Sequence, residues 1–329
     1  MSNFLKKTVV VLLVTVLMAV SVSGCGASSA GGGGGKGKIL LALHDDTDTF
    51  LITLVEAMQE RANKDGISMD IVYAGNSTDV QKQQLEDAAK AGYSAVICRL
   101  ADASTTLQME AAAGDLPIVF INNEPSESFL KPDKYVYVGS FEQDAGRFQA
   151  EYIWNGLGKP SKLDVVLLMG DQGHSAVEPR TDAVKYFLWD NNVDLNVVFC
   201  DYATWSDTLA YDRLEMFKLT DQHFDCIIAN NDPMAIGAIN WLKDNGYDTH
   251  QYLVAGIDAT ADGRQAVADG DMYMTVLQDT AGQGNAAIDA ALALGSGGSL
   301  KDVEGSTANL KYVWVPFVPV TKDNVGSLK

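Results

Sequence analysis

ILLALHDDTDTFLITLVEAMQERANKDGISMDIVY, residues 39–73, holds the pattern that decides the fold. Its first five residues are all apolar, which predicts a strand over 39–43 that is buried on both faces. The amphipathic stretch over 49–63 predicts a helix that ends at the turn Asp65-Gly66, and 69–73 predicts a second strand. A strand, a helix and a strand in this order predict two parallel strands joined by a crossover helix.

The same unit recurs along the rest of the chain. The first set of predicted elements continues with strands at 95–99 and 117–121 and helices at 78–91 and 104–113. A second set has predicted strands at 135–138, 164–169, 197–200, 226–229, 252–257 and 272–277, and helices at 143–156, 176–191, 206–219, 234–244 and after 262. These strands are too many for one compact open sheet, so the pattern predicts an α/β protein with two doubly wound parallel-sheet lobes.

The last elements suggest how the two lobes are connected. A helix at 280–294 and an apolar run at 310–320 follow the two sets, and they could return to the first lobe and then cross again. We therefore expect an N-terminal lobe of 38–122 plus 280–314 and a C-terminal lobe of 125–277 plus 316–329. Crossings near 122–124, 277–280 and 313–316 would form a three-segment hinge beside a cleft that opens and closes.

The first residues have the composition of a lipoprotein signal peptide. Lys6 and Lys7 precede an apolar run at 8–20, and small residues lead to Cys25. The pattern predicts a signal peptide at 1–24, acylation of Cys25, and a location on the outer face of the cytoplasmic membrane. A transmembrane anchor is the alternative, but an apolar run of about 13 residues is shorter than the roughly 20 that span a bilayer. Residues 25–37 are rich in glycine and predict a flexible tether.

Charge and cysteine content narrow the function further. The net charge of −19 argues against a nucleic-acid partner, because phosphate binding needs an excess of lysine and arginine. Besides Cys25, the chain has Cys98, Cys200 and Cys226, each within an apolar run. We expect these three to be buried free thiols, with a disulfide between two of them as the alternative. Their spacing matches no metal motif.

Polar residues follow most of the predicted strands, at the edge where ligands bind in sheets of this kind. They are carboxylates, amides, a histidine and an arginine, together with two aromatic residues. Carboxylates, amides and arginine pair with sugar hydroxyls, and aromatic faces stack on the C–H faces of a ring. The mixture is typical of a site for an uncharged polyol, although aspartate and asparagine after a strand are also common helix caps.

Several of these segments carry a family resemblance over 38–329. They are Asn123-Glu124-Pro125, Tyr137-Val138-Gly139, Gly173-His174 with Arg180-Thr181, Trp205, Ile228-Ala229-Asn230-Asn231-Asp232 with Met234-Ala235, and Gly256-Ile257-Asp258-Ala259. In order and spacing the chain resembles the bacterial galactose/glucose-binding proteins, which are type I periplasmic binding proteins of ABC transporters. The resemblance implies a monomeric receptor without a cofactor, which delivers a galactose/glucose-like hexose to an ABC permease. A pentose, a uronic acid or a furanose compound is the alternative ligand, and a chemotaxis or sensor protein an alternative partner.

The resemblance also implies roles for individual residues. Asp48 would accept hydrogen bonds from ring hydroxyls, and Phe50 and Trp205 would stack on the two ring faces. The remaining hydroxyls would meet polar side chains, namely His174, Arg180, Asn231 and Asp258. Each residue also has a structural alternative: Phe50 and Trp205 as core residues, Arg180 in an ion pair with Glu178 or Asp182, and His174 as a residue that holds its loop.

The chain departs from the family at four places. Arg99 and Gln278 stand where the family has asparagines, and Ala176 stands where it has an aspartate. This exchange shifts the site toward positive charge and favours a ligand with an anionic or extra acceptor group, unless Arg99 fills the space at Ala176 or is neutralised by Asp102 or Asp48. The segment 156–162 has no carboxylate where many relatives bind calcium, so we expect no metal there.

Two other classes of protein share parts of this pattern. An enzyme would need a nucleophile elbow, a phosphate-binding glycine loop or an HExxH motif, and none is present. A sugar-sensing transcription regulator would begin with a basic helix-turn-helix, whereas this chain begins with the predicted export signal. The sequence therefore favours a binding protein without catalysis.

Overall fold

The protein is described by a computed structural model over residues 37–328. The predicted signal peptide at 1–24, the predicted acylation site Cys25 and all of the predicted tether except Gly37 lie outside the described residues. Within 37–328, no helix combines the length and the apolar character needed to cross a bilayer.

Strands and helices alternate through the described residues. The strands are β1 (Ile39–Leu43), β2 (Met69–Tyr73), β3 (Ala95–Cys98), β4 (Ile118–Ile121), β5 (Tyr135–Gly139), β6 (Lys162–Met169), β7 (Asp194–Tyr202), β8 (Cys226–Ala229), β9 (Leu253–Ala255), β10 (Thr275–Leu277), β11 (Tyr312–Trp314) and β12 (Val318–Val320). The helices are α1 (Thr49–Asp65), α2 (Thr78–Lys90), α3 (Thr106–Ala113), α4 (Glu142–Gly156), α5 (Val177–Asp190), α6 (Asp207–Lys218), α7 (Asp232–Asp244), α8 (Ala261–Asp269) and α9 (Thr280–Gly295).

Two parallel sheets organise these elements. The first has the order β2-β1-β3-β4-β5-β11, with every neighbouring pair parallel. The second has the order β7-β6-β8-β9, also parallel, and β10 continues beside β9 through single bridges. A short antiparallel pair joins β10 to β12. The prediction of an α/β protein with two parallel sheets is confirmed.

The first sheet is covered on both faces, as the apolar run at its centre predicts. Ile39, Leu41 and Leu43 point to one face and pack in a core with α1 and α9. Leu40 and Ala42 point to the other face and pack with residues of α2 and α3. The alternation follows from the two-residue period of a strand. The second sheet likewise has a separate core on each face.

The strand β5 belongs to the first sheet, so the expectation that 135–138 opens the second set is wrong. The loop after β4 turns back at Lys131, whose N–H donates to the Tyr135 carbonyl, and β5 then pairs with β4. The chain passes to the second set between Gly139 and Glu142, not at 122–124. It returns between Leu277 and Thr280 and passes again between Trp314 and Val318.

The three cysteines within the described residues are free thiols. Cys98 in β3 and Cys226 in β8 are buried, as predicted, whereas Cys200 is exposed. The expectation of a third buried thiol is wrong because β7 forms the edge of the second sheet, where its residues are less covered than those of a central strand.

Candidate functional site

A cavity of about 220 Å³ lies where loops from the two sheets meet, and we call it the central cavity. It is much larger than the ~10–15 Å³ that a single water needs. The nine residues predicted to bind a sugar all line it: Asp48, Phe50, Arg99, His174, Arg180, Trp205, Asn231, Asp258 and Gln278. The structure therefore brings the predicted set together, and their role toward a ligand stays a prediction.

The start of α1 contributes Asp48 and Phe50. Asp48 caps the helix, since its Oδ1 accepts a hydrogen bond from the Leu51 N–H at 2.9 Å. Phe50 is 8% exposed and packs in the core between the first sheet and its helices, while it also lines the cavity. Phe50 is thus both a core residue and part of the cavity wall, and the packing around it fixes its ring.

Trp205 comes from a sharp turn between β7 and α6. Its φ of 63° and the φ of 46° at Thr204 are left-handed values that side-chain-bearing residues seldom adopt. The indole lies edge-on to His174, with ring centroids 5.2 Å apart. A Cβ added at Gly170 would come within 2.1 Å of the indole, so only glycine leaves room for Trp205 here.

Replacing Gly170 by alanine should destabilise the fold, because the new methyl group would displace the Trp205 indole. We expect a loss of about 1–3 kcal/mol in the free energy of unfolding, as is usual for overpacking. Urea denaturation of Gly170→Ala measures this. Gly326→Ala is the control, since a Cβ at Gly326 has no neighbour within 4 Å. An equal effect of the two substitutions would contradict the assigned packing.

Arg180 is buried, and each of its three nitrogens donates to a protein group. Its Nε donates to the Glu142 carboxylate at 2.6 Å, its Nη1 to the Asn230 carbonyl at 2.7 Å and its Nη2 to Gln278 Oε1 at 2.9 Å. The alternative of an ion pair with Glu178 or Asp182 is wrong, because the side chain turns inward toward α4. Arg180 therefore holds Gln278 in place at the cavity wall.

Asn231 is also engaged by the protein. It caps α7, with its Oδ1 accepting from the Met234 N–H at 3.1 Å, and its Nδ2 donates to the Trp205 carbonyl at 3.5 Å. The same residue thus starts a helix and fixes the turn that carries the indole. This bears out the general expectation that amides after strands act as caps, and it leaves one amide N–H of Asn231 for other partners.

Asp258 presents a carboxylate that no donor among the described residues satisfies. Its backbone has a φ of 112° and its N–H donates to the Val276 carbonyl at 2.8 Å. Burial raises the pKa of Asp258 well above its ordinary value, although Arg180 opposes the shift. A ligand hydroxyl that donates to this carboxylate would compensate for the lost hydration.

Asp232, at the start of α7, fixes the turn that carries Asp258. Its carboxylate accepts hydrogen bonds from the Thr260 N–H at 2.7 Å and from the Thr275 hydroxyl at 2.5 Å. The Thr275 hydroxyl in turn accepts from the Ala259 N–H at 3.3 Å. Burial raises the pKa of Asp232 from 3.8 to about 7.

This shift predicts a pH-dependent contribution to stability. Because the pKa of Asp232 is higher in the folded protein, its contribution is fully present below pH 3.8 and is lost as the pH rises through about 7. Asp232→Asn removes the titration, so the stability of the wild type relative to this variant should fall between these pH values. Urea denaturation over a pH series measures the difference, with the exposed Asp323→Asn as control. A pH-independent difference would contradict the shift.

Loops from the two sheets touch directly beside the cavity. His174 Nδ1 accepts from the Ala176 N–H at 3.2 Å, so its Nε2 carries the proton and donates to Asn122 Oδ1 at 3.2 Å. The Glu124 N–H donates to the Ser175 hydroxyl at 2.7 Å. Burial and nearby Arg99 lower the pKa of His174 well below its usual range, so the ring is neutral. His174 both holds its loop and lines the cavity.

Arg99 is buried without a salt bridge within 4.0 Å among the described residues. Its Nε donates to Asn122 Oδ1 at 3.0 Å and its Nη1 to the Leu100 carbonyl at 2.7 Å, which leaves Nη2 without a protein acceptor. Asp102 does not neutralise it, because Asp102 accepts from the Ser104 N–H instead. Asp48, Asp45 and Asp171 are near enough to oppose the effect of burial on its pKa.

The cavity is also lined by residues outside the predicted nine, and two of these have titratable side chains that follow a strand directly or after one glycine. Asp171 lines the cavity beside Trp205, and His44 lines it immediately after β1. Both follow the rule that polar residues after parallel strands face the ligand site, since Asp171 is the first polar residue after β6. Their position after a strand is therefore enough to predict both residues, whereas the family resemblance assigns neither of them a role.

One group of possible metal ligands occurs among the described residues, away from the cavity. The ligand atoms of Asp164, His223 and Asp225 lie within 4.8 Å of one another near the amino ends of β6 and β8. Asp164 Oδ1 already accepts from Asn196 at 2.9 Å and lies 3.4 Å from the Lys162 ammonium. A cation in this position disfavours a metal ion, so we assign none.

Comparison with known proteins places the chain in a family. Residues 39–299 match the model of the periplasmic binding protein domain. The chain belongs to this family. The predicted type I periplasmic binding protein fold and the prediction of a binding protein rather than an enzyme are thereby confirmed.

Individual members of the family show similarity over most of their length. The chain is 33% identical over 286 residues to a protein of Rhizobium meliloti named for rhizopine binding, with 86% of this chain and 89% of the relative covered. It is 30% identical over 276 residues to the D-galactose/methyl-galactoside binding periplasmic protein MglB of Haemophilus influenzae, with 79% and 82% covered.

Solved structures of the family have the same fold. An ABC transporter solute binding protein from Bacillus halodurans C-125, with bound myo-inositol, superposes with a TM-score of 0.77 at 27% identity and covers 89% of this chain and 98% of its own. A solute binding protein from Actinobacillus succinogenes with bound D-allose has a TM-score of 0.77 at 23% identity, with 89% and 100% covered, and supports the fold alone.

Proposed function

We propose that this member of the periplasmic binding protein family captures an uncharged, hydroxylated six-membered ring in the central cavity and delivers it to an ABC importer. A galactose/glucose-like hexose is the first candidate, because the nine family positions carried over from the galactose/glucose-binding proteins meet at one cavity. A cyclitol is the second, because a relative at 27% identity has been solved with bound myo-inositol.

The chemistry of the cavity supports a polyol. Asp258 and the Oδ2 of Asp48 have no protein donor among residues 37–328, and the Nη2 of Arg99 has no acceptor. Ring hydroxyls both donate and accept, so one ring can bond to all three groups. Phe50 and Trp205 add aromatic surface for the C–H faces of the ring.

The charges around Arg99 support an uncharged ligand. Arg180 is paired with Glu142, so Arg99 is the cation without an ion pair among the described residues of the cavity. Three carboxylates, Asp45, Asp48 and Asp171, attract Arg99 and line the same cavity. They offset the guanidinium that replaces the family's asparagine, so an anionic group on the ligand would meet more negative than positive charge.

The uptake cycle follows from the two-sheet arrangement. A ligand that contacts residues after the strands of both sheets stabilises the closed arrangement by its differential affinity for it. The contacts Asn122–His174 and Glu124–Ser175 already link the two sides beside the cavity. We infer that the closed form docks on the permease as a monomer, and that acylated Cys25 holds it at the outer face of the cytoplasmic membrane.

A ligand screen tests the proposal. Glucose, galactose or myo-inositol should raise the melting temperature of the purified protein, since a ligand stabilises only the state that it binds.

Substitutions in the cavity should weaken binding of the ligand that binds best. Trp205→Ala and Asp258→Ala should each lower the affinity measured by calorimetry by at least about tenfold, or ~1.4 kcal/mol. Trp189→Ala, at a 52% exposed tryptophan outside the cavity, is the control. Unchanged affinity in both cavity variants would place the ligand elsewhere.

A uronic acid probes the charge of the central cavity. Glucuronate differs from glucose by one carboxylate, and we expect calorimetry to give it at least about tenfold weaker binding than glucose. In Arg99→Asn, the carboxylates lose their opposing cation, so the preference for glucose over glucuronate should increase. Tighter binding of glucuronate than of glucose by the wild type would show that Arg99 selects an anionic ligand.

A further inference from the structure

The cleft between the two sheets continues beyond the central cavity. A second space, of about 660 Å³ and open to solvent, lies beside it, and we call it the side groove. Its lining outside the central cavity comes from residues after β2, β3, β4 and β6, including Asn76, Ala101, Asp102, Asn123, Gln172 and Gly173. The side groove is therefore part of the same cleft, at the carboxyl ends of both sheets.

The central cavity and the side groove share a boundary of polar side chains. Five residues line both spaces: His44, Asp45, Arg99, Asp171 and His174. A ligand in the central cavity that extends past these side chains would enter the groove. None of the five is an aliphatic or phenyl side chain, so a ligand crossing this boundary would meet hydrogen-bonding groups.

Two atoms on this boundary have no partner in the protein. His44 is 8% exposed, and its Nδ1 is buried without a hydrogen-bond partner among the described residues. Arg99 Nη2 likewise has no acceptor, while its Nε and Nη1 are engaged. Burial and the nearby Arg99 lower the pKa of His44 to about 4, so its ring is neutral and Nδ1 can accept a hydrogen bond. Arg99 Nη2 lacks an acceptor among the described residues, so a ligand hydroxyl that accepts from it at this boundary forms a hydrogen bond that the protein does not supply.

The side groove is suited to a hydroxylated group. Its lining offers the amides of Asn76, Asn123 and Gln172 and the carboxylate of Asp102, and the other residues there are small, Ala101, Ala103 and Gly173. Amides and carboxylates pair with hydroxyls, and small residues leave space for a second ring. In contrast to the central cavity, the part of the groove outside it has no aromatic residue among its lining.

We propose that the side groove is a second subsite, which accepts the hydroxylated second residue of a disaccharide or glycoside whose first ring occupies the central cavity. The subsite rests on the proposed function of the central cavity. With this subsite, the natural ligand is a ring that carries a polar substituent, and the substituent lies in the side groove.

Calorimetry with the purified protein tests the subsite. The free rings are glucose, galactose and myo-inositol, and the extended ligands are cellobiose, lactose, melibiose and galactosyl-myo-inositol. We expect at least one extended ligand to bind within about tenfold of its free ring. Binding of free rings with loss of every extended ligand would overturn the subsite alone. Binding of none of these compounds would overturn the proposed function and the subsite with it.

A blocking variant locates the substituent. Gln172 is exposed and makes no side-chain hydrogen bond within the described chain, so Gln172→Trp should fold normally and fill the groove. We expect this substitution to lower the affinity for the extended ligand by at least about tenfold, while the affinity for the free ring changes by less than about twofold. Leu219→Trp, at an 86% exposed residue outside both spaces, is the matched control. An equal effect of Gln172→Trp on both ligands, or none on the extended one, would overturn the assignment.

Discussion

The Arg180 guanidinium joins segments of the second sheet and its helices beside the central cavity. Each of its three nitrogens donates to a different segment: Glu142 in α4, the carbonyl after β8, and Gln278 after β10. The ion pair and the hydrogen bonds offset part of the cost of burying this guanidinium, and they tie the three segments to one another. The ends of β8 and β10 carry Asn231 and Gln278 into the central cavity, and the turn after β9 places Asp258 near the same cation.

The two arginines of the cavity differ in what they leave for a ligand. All three nitrogens of Arg180 donate to protein groups, whereas one nitrogen of Arg99 has no acceptor among residues 37–328. Asp258 is the complementary case, a carboxylate without a donor in the described part of the chain. The hydrogen-bonded network around Arg180 thus lies beside a few groups that are free to bond to a ligand, and in the proposed function these groups meet its hydroxyls. The nearby Asp45, Asp48 and Asp171 moderate the charge of Arg99, which supports the proposal of an uncharged ligand.

Local patterns in the sequence predicted most of the fold, and the family resemblance named nine residues that line one cavity. Apolar runs mark buried parallel strands, and polar residues after them mark the ligand edge. Local patterns do not show which sheet a strand joins. The repeats placed residues 135–138 in the second set, whereas β5 pairs with β4 of the first sheet. Partner choice is equally non-local, since Arg180 pairs with Glu142 from another helix rather than with a neighbour on its own. Asp171 could have been found from its position after β6, whereas the exposure of Cys200 depends on β7 being an edge strand.

The central claim is that one hydroxylated ring lies between residues of both sheets. Crystallography of the protein with the ring that binds best in solution tests this most directly. The account predicts the ring in the central cavity, with Phe50 and Trp205 against its faces and one of its hydroxyls donating to the Asp258 carboxylate. A ring bound outside this cavity, or bound in it without contact to residues of both sheets, would contradict the account.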